Sequence, residues 1–299
     1  MFKGAITAIV TPFTEDGAFD EEAMRNLVEF QINNKIDGIV PCGTTGESPT
    51  LGHDVEHQRV IEVVIDAAKG RTKVIAGTGS NSTKEAIDMT KKAAEAGADA
   101  SLQVCPYYNK PTPEGLFRHF SAIAKAVDIP IIIYNIKGRT GINMETATLA
   151  RLAKEHSNIV AVKEASGDIN QMQDVLNTLP KEFDVLSGDD KMTLPLMKIG
   201  GRGVISVASN IIPADVKQLT EYALNGDMEK AEELHNKLLP LFEGLFVETN
   251  PLPIKAALAM KGMIKESYRL PMCEMQAANR EKLKELLDSY KILEDLKAA

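Results

Sequence analysis

Cysteine is scarce. Only Cys42, Cys105 and Cys273 occur in 299 residues, an odd number with no Cys-x-x-Cys pair and no His-rich metal spacing. That excludes a disulfide framework and a zinc-type site as organising features, and it predicts a reducing, cytoplasmic setting. Cys42 and Cys105 follow apolar, strand-like residues and read as small core fillers. Positive charge is also in short supply: 34 Lys and Arg stand against 42 Asp and Glu, a net charge of −8. An acidic surface argues against nucleic acid and anionic membranes as partners, while leaving room for small anionic substrates that need only local positive charge. No apolar run approaches the ~20 residues of a membrane-spanning helix. Met1-Phe2-Lys3-Gly4-Ala5-Ile6 runs straight into a strand-like pattern, without the layout of a signal peptide.

What the sequence does have is alternation. Short apolar runs at 5–10, 38–41, 73–77, 100–104, 131–135, 159–163, 184–187 and 203–206 are separated by amphipathic stretches at 21–34, 54–68, 83–96, 114–126, 144–154, 169–179 and 193–199, with an eighth at 214–224. Strands that alternate with helices pair in parallel through crossovers. Eight such units predict an α/β fold of the closed (β/α)8 barrel type; an open doubly wound sheet is the alternative. Ser82-Thr83-Lys84-Glu85 reads as a capping box, and Thr112-Pro113 as a cap followed by a first-turn proline. Gly97 and Gly226 fall where helices should stop. Beyond Gly226 the alternation ends, and 228–246, 252–263 and 279–296 read as helices. We therefore expect a catalytic barrel over 1–225 and a smaller all-helical region over 226–299.

Barrels of this kind carry their sites at the C-terminal ends of the strands. There the sixth run, Ile159-Val160-Ala161-Val162, ends in Lys163. A buried ammonium is costly, and desolvation lowers a lysine pKa towards that of a nucleophilic amine. A lysine at a strand end can equally snorkel into solvent, and the local sequence leaves the two readings level. The other strand ends tip the balance. Gly43-Thr44-Thr45-Gly46-Glu47-Ser48 after the second run is a tight loop whose amides can face a carboxylate. Tyr134 ends the fifth run, where its hydroxyl reaches the barrel mouth or sits in the core with one partner. Arg139, in what reads as a glycine-bounded loop, suits a bidentate carboxylate contact or a surface ion pair. Pro106-Tyr107-Tyr108-Asn109-Lys110-Pro111 follows the fourth run, Gly188-Asp189-Asp190 the seventh, and Gly203-Val204-Ile205-Ser206 forms the eighth. A lysine, a tyrosine, paired threonines and an arginine on one rim favour Schiff-base chemistry at Lys163.

These motifs, in this order, resemble the class I pyruvate-dependent lyases and aldolases, and within them the dihydrodipicolinate synthase family. The resemblance runs nearly end to end. It takes in GTTGES at 43–48, AGTGSN at 76–81, PYYNKP at 106–111, RTG at 139–141, KEASGD at 163–168, SGDD at 187–190, GVISV at 203–207 and NPLPIK at 250–255. It implies condensation of pyruvate with L-aspartate 4-semialdehyde in lysine and diaminopimelate biosynthesis, with no metal or organic cofactor. By the same resemblance Lys163 forms the imine, and Thr44 and Tyr134 form a proton relay with Tyr108 of a neighbouring subunit. Thr45 holds the pyruvate carboxylate, Arg139 holds that of the semialdehyde, and Gly188 and the carbonyl of Ile205 lie close to the reacting centre. A shared site implies a homo-oligomer of at least two subunits, and the family suggests a tetramer of two dimers. Ser48, His53, His57, Asn81, Glu85 and Tyr107 match the positions at which family members bind inhibitory L-lysine. One departure stands beside Arg139, where Tyr-Asn-Ile-Lys-Gly-Arg replaces the family's usual Tyr-Asn-Val-Pro-Ser-Arg. The alternative is a sister aldolase that cleaves a sugar-derived 2-keto acid such as N-acetylneuraminate or 2-keto-3-deoxygluconate. Arg139 argues against it, because such enzymes generally lack that arginine. A non-catalytic barrel would be expected to lose Lys163 or Tyr134.

Overall fold

The computed structural model describes residues 2–52 and 55–292. Eight strands, β1 (Gly4–Ala8), β2 (Gly38–Val40), β3 (Lys73–Gly77), β4 (Ala100–Val104), β5 (Ile131–Asn135), β6 (Ile159–Glu164), β7 (Asp184–Ser187) and β8 (Gly203–Ser206), close in sequence order into one barrel. The closing pair β1 and β8 is parallel, like the others, with Ile6 opposite Ile205. The chain is thus a (β/α)8 barrel, as the alternation predicts. Between and around the strands lie α1 (Glu21–Asn33), α2 (Glu56–Ala68), α3 (Thr83–Glu95), α4 (Pro113–Ala126), α5 (Lys137–Thr140), α6 (Thr146–Glu155), α7 (Ile169–Thr178), α8 (Thr193–Lys198) and α9 (Pro213–Leu224). Then follow α10 (Met228–Gly244), α11 (Leu252–Met260) and α12 (Ala277–Ser289).

Three expectations need correction. The stretch around Arg139, read as a loop, is the single helical turn α5, closed by Gly141 at φ +75°. One turn is too short to show a helical period. In the capping box, the Ser82 hydroxyl accepts from the Glu85 amide as expected, but the Glu85 carboxylate accepts from Ser80 Oγ at 2.8 Å instead of reaching the Ser82 amide. Ser80 Oγ accepts that amide itself at 3.0 Å. The last helix stops at Ser289 rather than running on; Leu296, like Asp54 at the expected start of α2, lies outside the described residues.

Side chains alternate across each strand, and the bore is filled from the inward positions. Ile6, Ile75, Leu102, Ile132, Leu186 and Ile205 form one inner cluster, with Tyr134 at its mouth end. The outward positions pack against the helices. Leu238, Leu241 and Phe242 of α10 and Leu283 of α12 share one cluster with Leu27 of α1 and Val60 of α2, so the C-terminal helices seal one flank of the barrel. Two ion pairs fix the seal near the mouth. Arg269 grips the Glu56 carboxylate with two bonds of 2.6 Å. Lys255 of α11 is ion-paired with Glu47, both fully buried. Breaking such a buried pair costs about 3–5 kcal/mol, so the loop that carries Thr44 and Thr45 is anchored from the C-terminal region.

Candidate active site

Tyr134 and Lys163 are register neighbours on β5 and β6. Both sit at inward positions, and the Lys163 Nζ lies 4.1 Å from the centre of the Tyr134 ring. Lys163 is only 6% exposed. Burial pulls its pKa down to about 7; the Asp190 carboxylate opposes that shift and the Arg139 cation adds to it. Lys163 is therefore buried rather than snorkelling into solvent, and a sizeable fraction of it is the neutral amine near pH 7. Burial pushes the Tyr134 hydroxyl up to about 12, against the pull of Arg139 and of a hydrogen bond to Thr44. The phenol thus keeps its proton through the neutral range while remaining connected to a hydroxyl partner.

Gly188 explains how the lysine chain fits. A Cβ there would lie 2.6 Å from Ala165 Cβ and 3.1 Å from Lys163 Cε, so the missing side chain is the space the lysine occupies. Gly188→Ala is expected to displace Nζ. At the sensitivity typical of reacting groups, about 10²-fold per ångström of misplacement, the rate of trapping pyruvate with borohydride should fall by roughly that factor. An unchanged trapping rate in a folded Gly188→Ala protein refutes this packing role.

The Gly43–Ser48 loop is as tight as its glycines suggest. The Gly43 carbonyl accepts from both the Gly46 and Ser48 amides. A Cβ on Gly46 would come within 3.2 Å of the Ile9 carbonyl and Thr11 Oγ1. Thr44 opens onto a cavity of about 230 Å³ that Ser48, Tyr107, Tyr134, Ile136 and Arg139 also line. Thr45 is buried beneath it, where its hydroxyl accepts from Asn250 Nδ2 at 3.0 Å. Arg139 donates to the Asn250 carbonyl at 3.0 Å. One residue from the C-terminal region therefore touches both the threonine loop and the arginine. Asn250 went unread as a site residue, although NPLPIK was noticed as a motif, because nothing local in that segment announces its partners. Asp190 was missed in the same way: its buried carboxylate accepts from the Val207 and Ala208 amides at 3.0 Å each.

The remaining candidates fall in different places. Ile205 is buried on the inner face of β8. Tyr108 is 90% exposed, at φ +71°, on the loop after β4. That loop is held to the one after β3 by Asn81 Nδ2, which donates to the Tyr107 carbonyl at 3.1 Å, and by Asn109 Nδ2, which donates to the Asn81 carbonyl at 2.9 Å. Ser48 and Tyr107 line the cavity. Glu85 is engaged by Ser80, and His57 is buried on α2 away from the cavity lining. His53 lies outside the described residues. Cys42 and Cys105 are buried and burial pushes both thiols up, consistent with inert packing.

A sequence profile of the Dihydrodipicolinate synthetase family matches residues 1–290. The chain belongs to this family. It is 58% identical over 293 residues to the 4-hydroxy-tetrahydrodipicolinate synthase of Syntrophus aciditrophicus, covering 98% of this chain and all of that one. The structure of the dihydrodipicolinate synthase from Aquifex aeolicus superposes with a TM-score of 0.96 at 50% identity, over 97% of this chain and 99% of the other. A family member from Cyanidioschyzon merolae, solved with lysine bound, matches with a TM-score of 0.95 at 44% identity, over 98% of this chain and 99% of that one. Membership agrees with the Schiff-base reading of the strand ends, and with the barrel on which it rests.

Proposed function

We propose that the protein is a 4-hydroxy-tetrahydrodipicolinate synthase, joining pyruvate to L-aspartate 4-semialdehyde for lysine and diaminopimelate biosynthesis. The observation that carries this reading is the buried, partly neutral Lys163 stacked on Tyr134 at the mouth of the barrel. Neutral Nζ attacks the pyruvate keto carbon, and loss of water leaves an imine. The imine acidifies the adjacent methyl group, whose proton leaves to give an enamine. The enamine carbon attacks the aldehyde, and the amine of the second substrate then displaces Lys163 as the ring closes. Tyr134 and Thr44 move protons at these steps, as positioned acids and bases do. The imine itself is the electron sink, so the scheme calls on no cofactor.

Thr45, through its backbone and hydroxyl in the Gly43–Gly46 loop, receives the pyruvate carboxylate, Gly188 and the Ile205 carbonyl border the reacting carbon, and Arg139 receives the carboxylate of the semialdehyde. Arg139→Ala should slow trapping of pyruvate only slightly and impair condensation far more. A hydrogen bond to a charged group is worth about 1.5–3 kcal/mol, which corresponds to roughly 10- to 150-fold in kcat/KM for the semialdehyde. Equal losses in trapping and in condensation would show instead that the arginine serves the lysine.

Tyr108, exposed on its stitched loop, completes the relay of a neighbouring subunit in a homo-oligomer, at least a dimer and in full a tetramer, working in the cytoplasm. L-lysine binds at Ser48, Asn81, Glu85 and Tyr107, with His53 and His57 as further matches, and lowers the rate. Initial rates unchanged by millimolar L-lysine would remove that part of the reading. The whole is tested by following condensation of the two substrates through a coupled reductase. Turnover establishes the synthase; a folded protein that traps pyruvate without turning over the semialdehyde points to a sister aldolase.

A further inference from the structure

Behind the reactive pair, on the outer face of the barrel, stands a second pair that nothing in the mechanism uses. Asn135 follows Tyr134 and Glu164 follows Lys163, and these too are register partners. Strand alternation turns them away from the bore, and both are fully buried. Asn135 Nδ2 donates to the two Glu164 oxygens at 3.3 and 3.1 Å. Gln171 Nε2 and the Ser166 amide donate to the same carboxylate at 3.1 and 2.6 Å. The orientation of the Asn135 amide is fixed, because its Oδ1 accepts from the Met144 amide at 2.9 Å and its Nδ2 also serves Asn143 Oδ1 at 2.9 Å. Everything that reaches Glu164 is a neutral donor, so the position demands a group that only accepts.

A carboxylate buried on neutral donors is a costly way to fill space. Its position suggests what it does. The Glu164 carbonyl accepts from the Gly188 amide at 2.8 Å, and the Asn135 carbonyl from the Ala165 amide at 2.9 Å. Glu164 thus joins the ends of β5, β6 and β7 at the level where Lys163 leans on Gly188 and faces Tyr134. We propose that Glu164, held by Asn135 and Gln171, is a positioning residue that locks the strand ends so that Lys163 Nζ keeps its placement against Tyr134. The proposal rests on the Schiff-base reading above.

The test uses Glu164→Gln, which sets an amide NH2 against the incoming donors while keeping shape and volume. The readout is borohydride trapping of pyruvate, which is independent of the second substrate. The maximal trapping rate should fall by about 10²-fold, the scale of an ångström of misplacement, with the half-saturating pyruvate concentration unchanged. The milder variant Gln171→Leu leaves the carboxylate in place but removes one of its donors, and should lower the same maximal rate by a smaller factor. A folded Glu164→Gln protein that traps like the parent overturns the lock. So does a folded Gln171→Leu protein that traps at the parent rate, or a loss confined to pyruvate affinity. Should Glu164→Gln fail to fold, Gln171→Leu decides by the same comparison with the parent. A parent protein that does not trap pyruvate at all overturns the functional reading itself, an outcome distinct from any of these.

Discussion

Lys163→Met is expected to give a folded protein that no longer traps pyruvate with borohydride and no longer turns over. In the proposed mechanism the imine needs this amine, and no other lysine among the described residues is buried at a strand end. Lys255, the other buried lysine, lies on α11 and is ion-paired with Glu47. In the parent protein, trapping should follow the neutral fraction of Lys163. With a pKa near 7, it should rise through neutrality, level off above it, and be about tenfold slower one pH unit below. The same substitution should raise the melting temperature. The native pKa lies below the ordinary value of 10.5, so the native state binds this proton less readily than the unfolded chain. The destabilisation is complete below pH 7 and fades as pH climbs from 7 towards 10.5. Methionine removes it, a gain on the order of a few kcal/mol at pH 7 that should shrink by pH 10. Trapping that persists in Lys163→Met would move the nucleophile elsewhere. A melting temperature no higher than the parent's would mean that the burial cost is compensated in a way the carboxylate of Asp190 alone does not provide.

The barrel was legible because its strands are buried on both faces. Such strands read as unbroken apolar runs, and most of the boundaries inferred for them agree with the structure to within a residue or two. The candidate site residues were legible for the opposite reason. Lys163, Tyr134 and the Gly43–Ser48 loop interrupt the apolar pattern where a barrel keeps its mouth, and a polar residue at the end of a buried run needs an explanation. What stayed hidden depends on contacts across long stretches of chain. Thr45 meets Asn250 from 205 positions away, and Arg139 meets it from 111. No periodicity or spacing encodes such a meeting. Glu164 and Asn135 were hidden differently: each sits beside a residue whose role was visible, but only strand register shows that the two neighbours face each other. α5 escaped because four residues cannot display a helical repeat, and Glu85 because a second serine, Ser80, competed for its carboxylate.

Tyr134→Phe is the sharpest test of the proton path. Phenylalanine keeps the ring against Lys163 Nζ, so packing and the lysine's burial are preserved. What disappears is the hydroxyl and its hydrogen bond to Thr44. With the phenol held up at about 12, Tyr134 enters the cycle protonated at neutral pH. In the proposed relay it therefore gives a proton before it takes one, and Thr44 is the partner through which that proton is replaced. Loss of a positioned acid–base group typically costs about 10²–10⁴-fold in kcat, and that range is expected here, with KM for pyruvate little changed. Slow trapping of pyruvate should remain, since Lys163 still has its lowered pKa. Arg139 pulls the Tyr134 hydroxyl down, so removing that cation should leave a weaker acid and slow the same proton steps as well as loosening the second substrate. Thr44→Val should then reproduce part of the Tyr134→Phe loss, and combining the two should cost less than the product of the single losses, because residues in one relay fail together. Additive losses would mean two separate proton routes. A Tyr134→Phe enzyme within a few-fold of the parent would shift the proton work to the carboxylates after β7, the half-buried Asp189 and the buried Asp190, both held above the usual carboxylate range by desolvation.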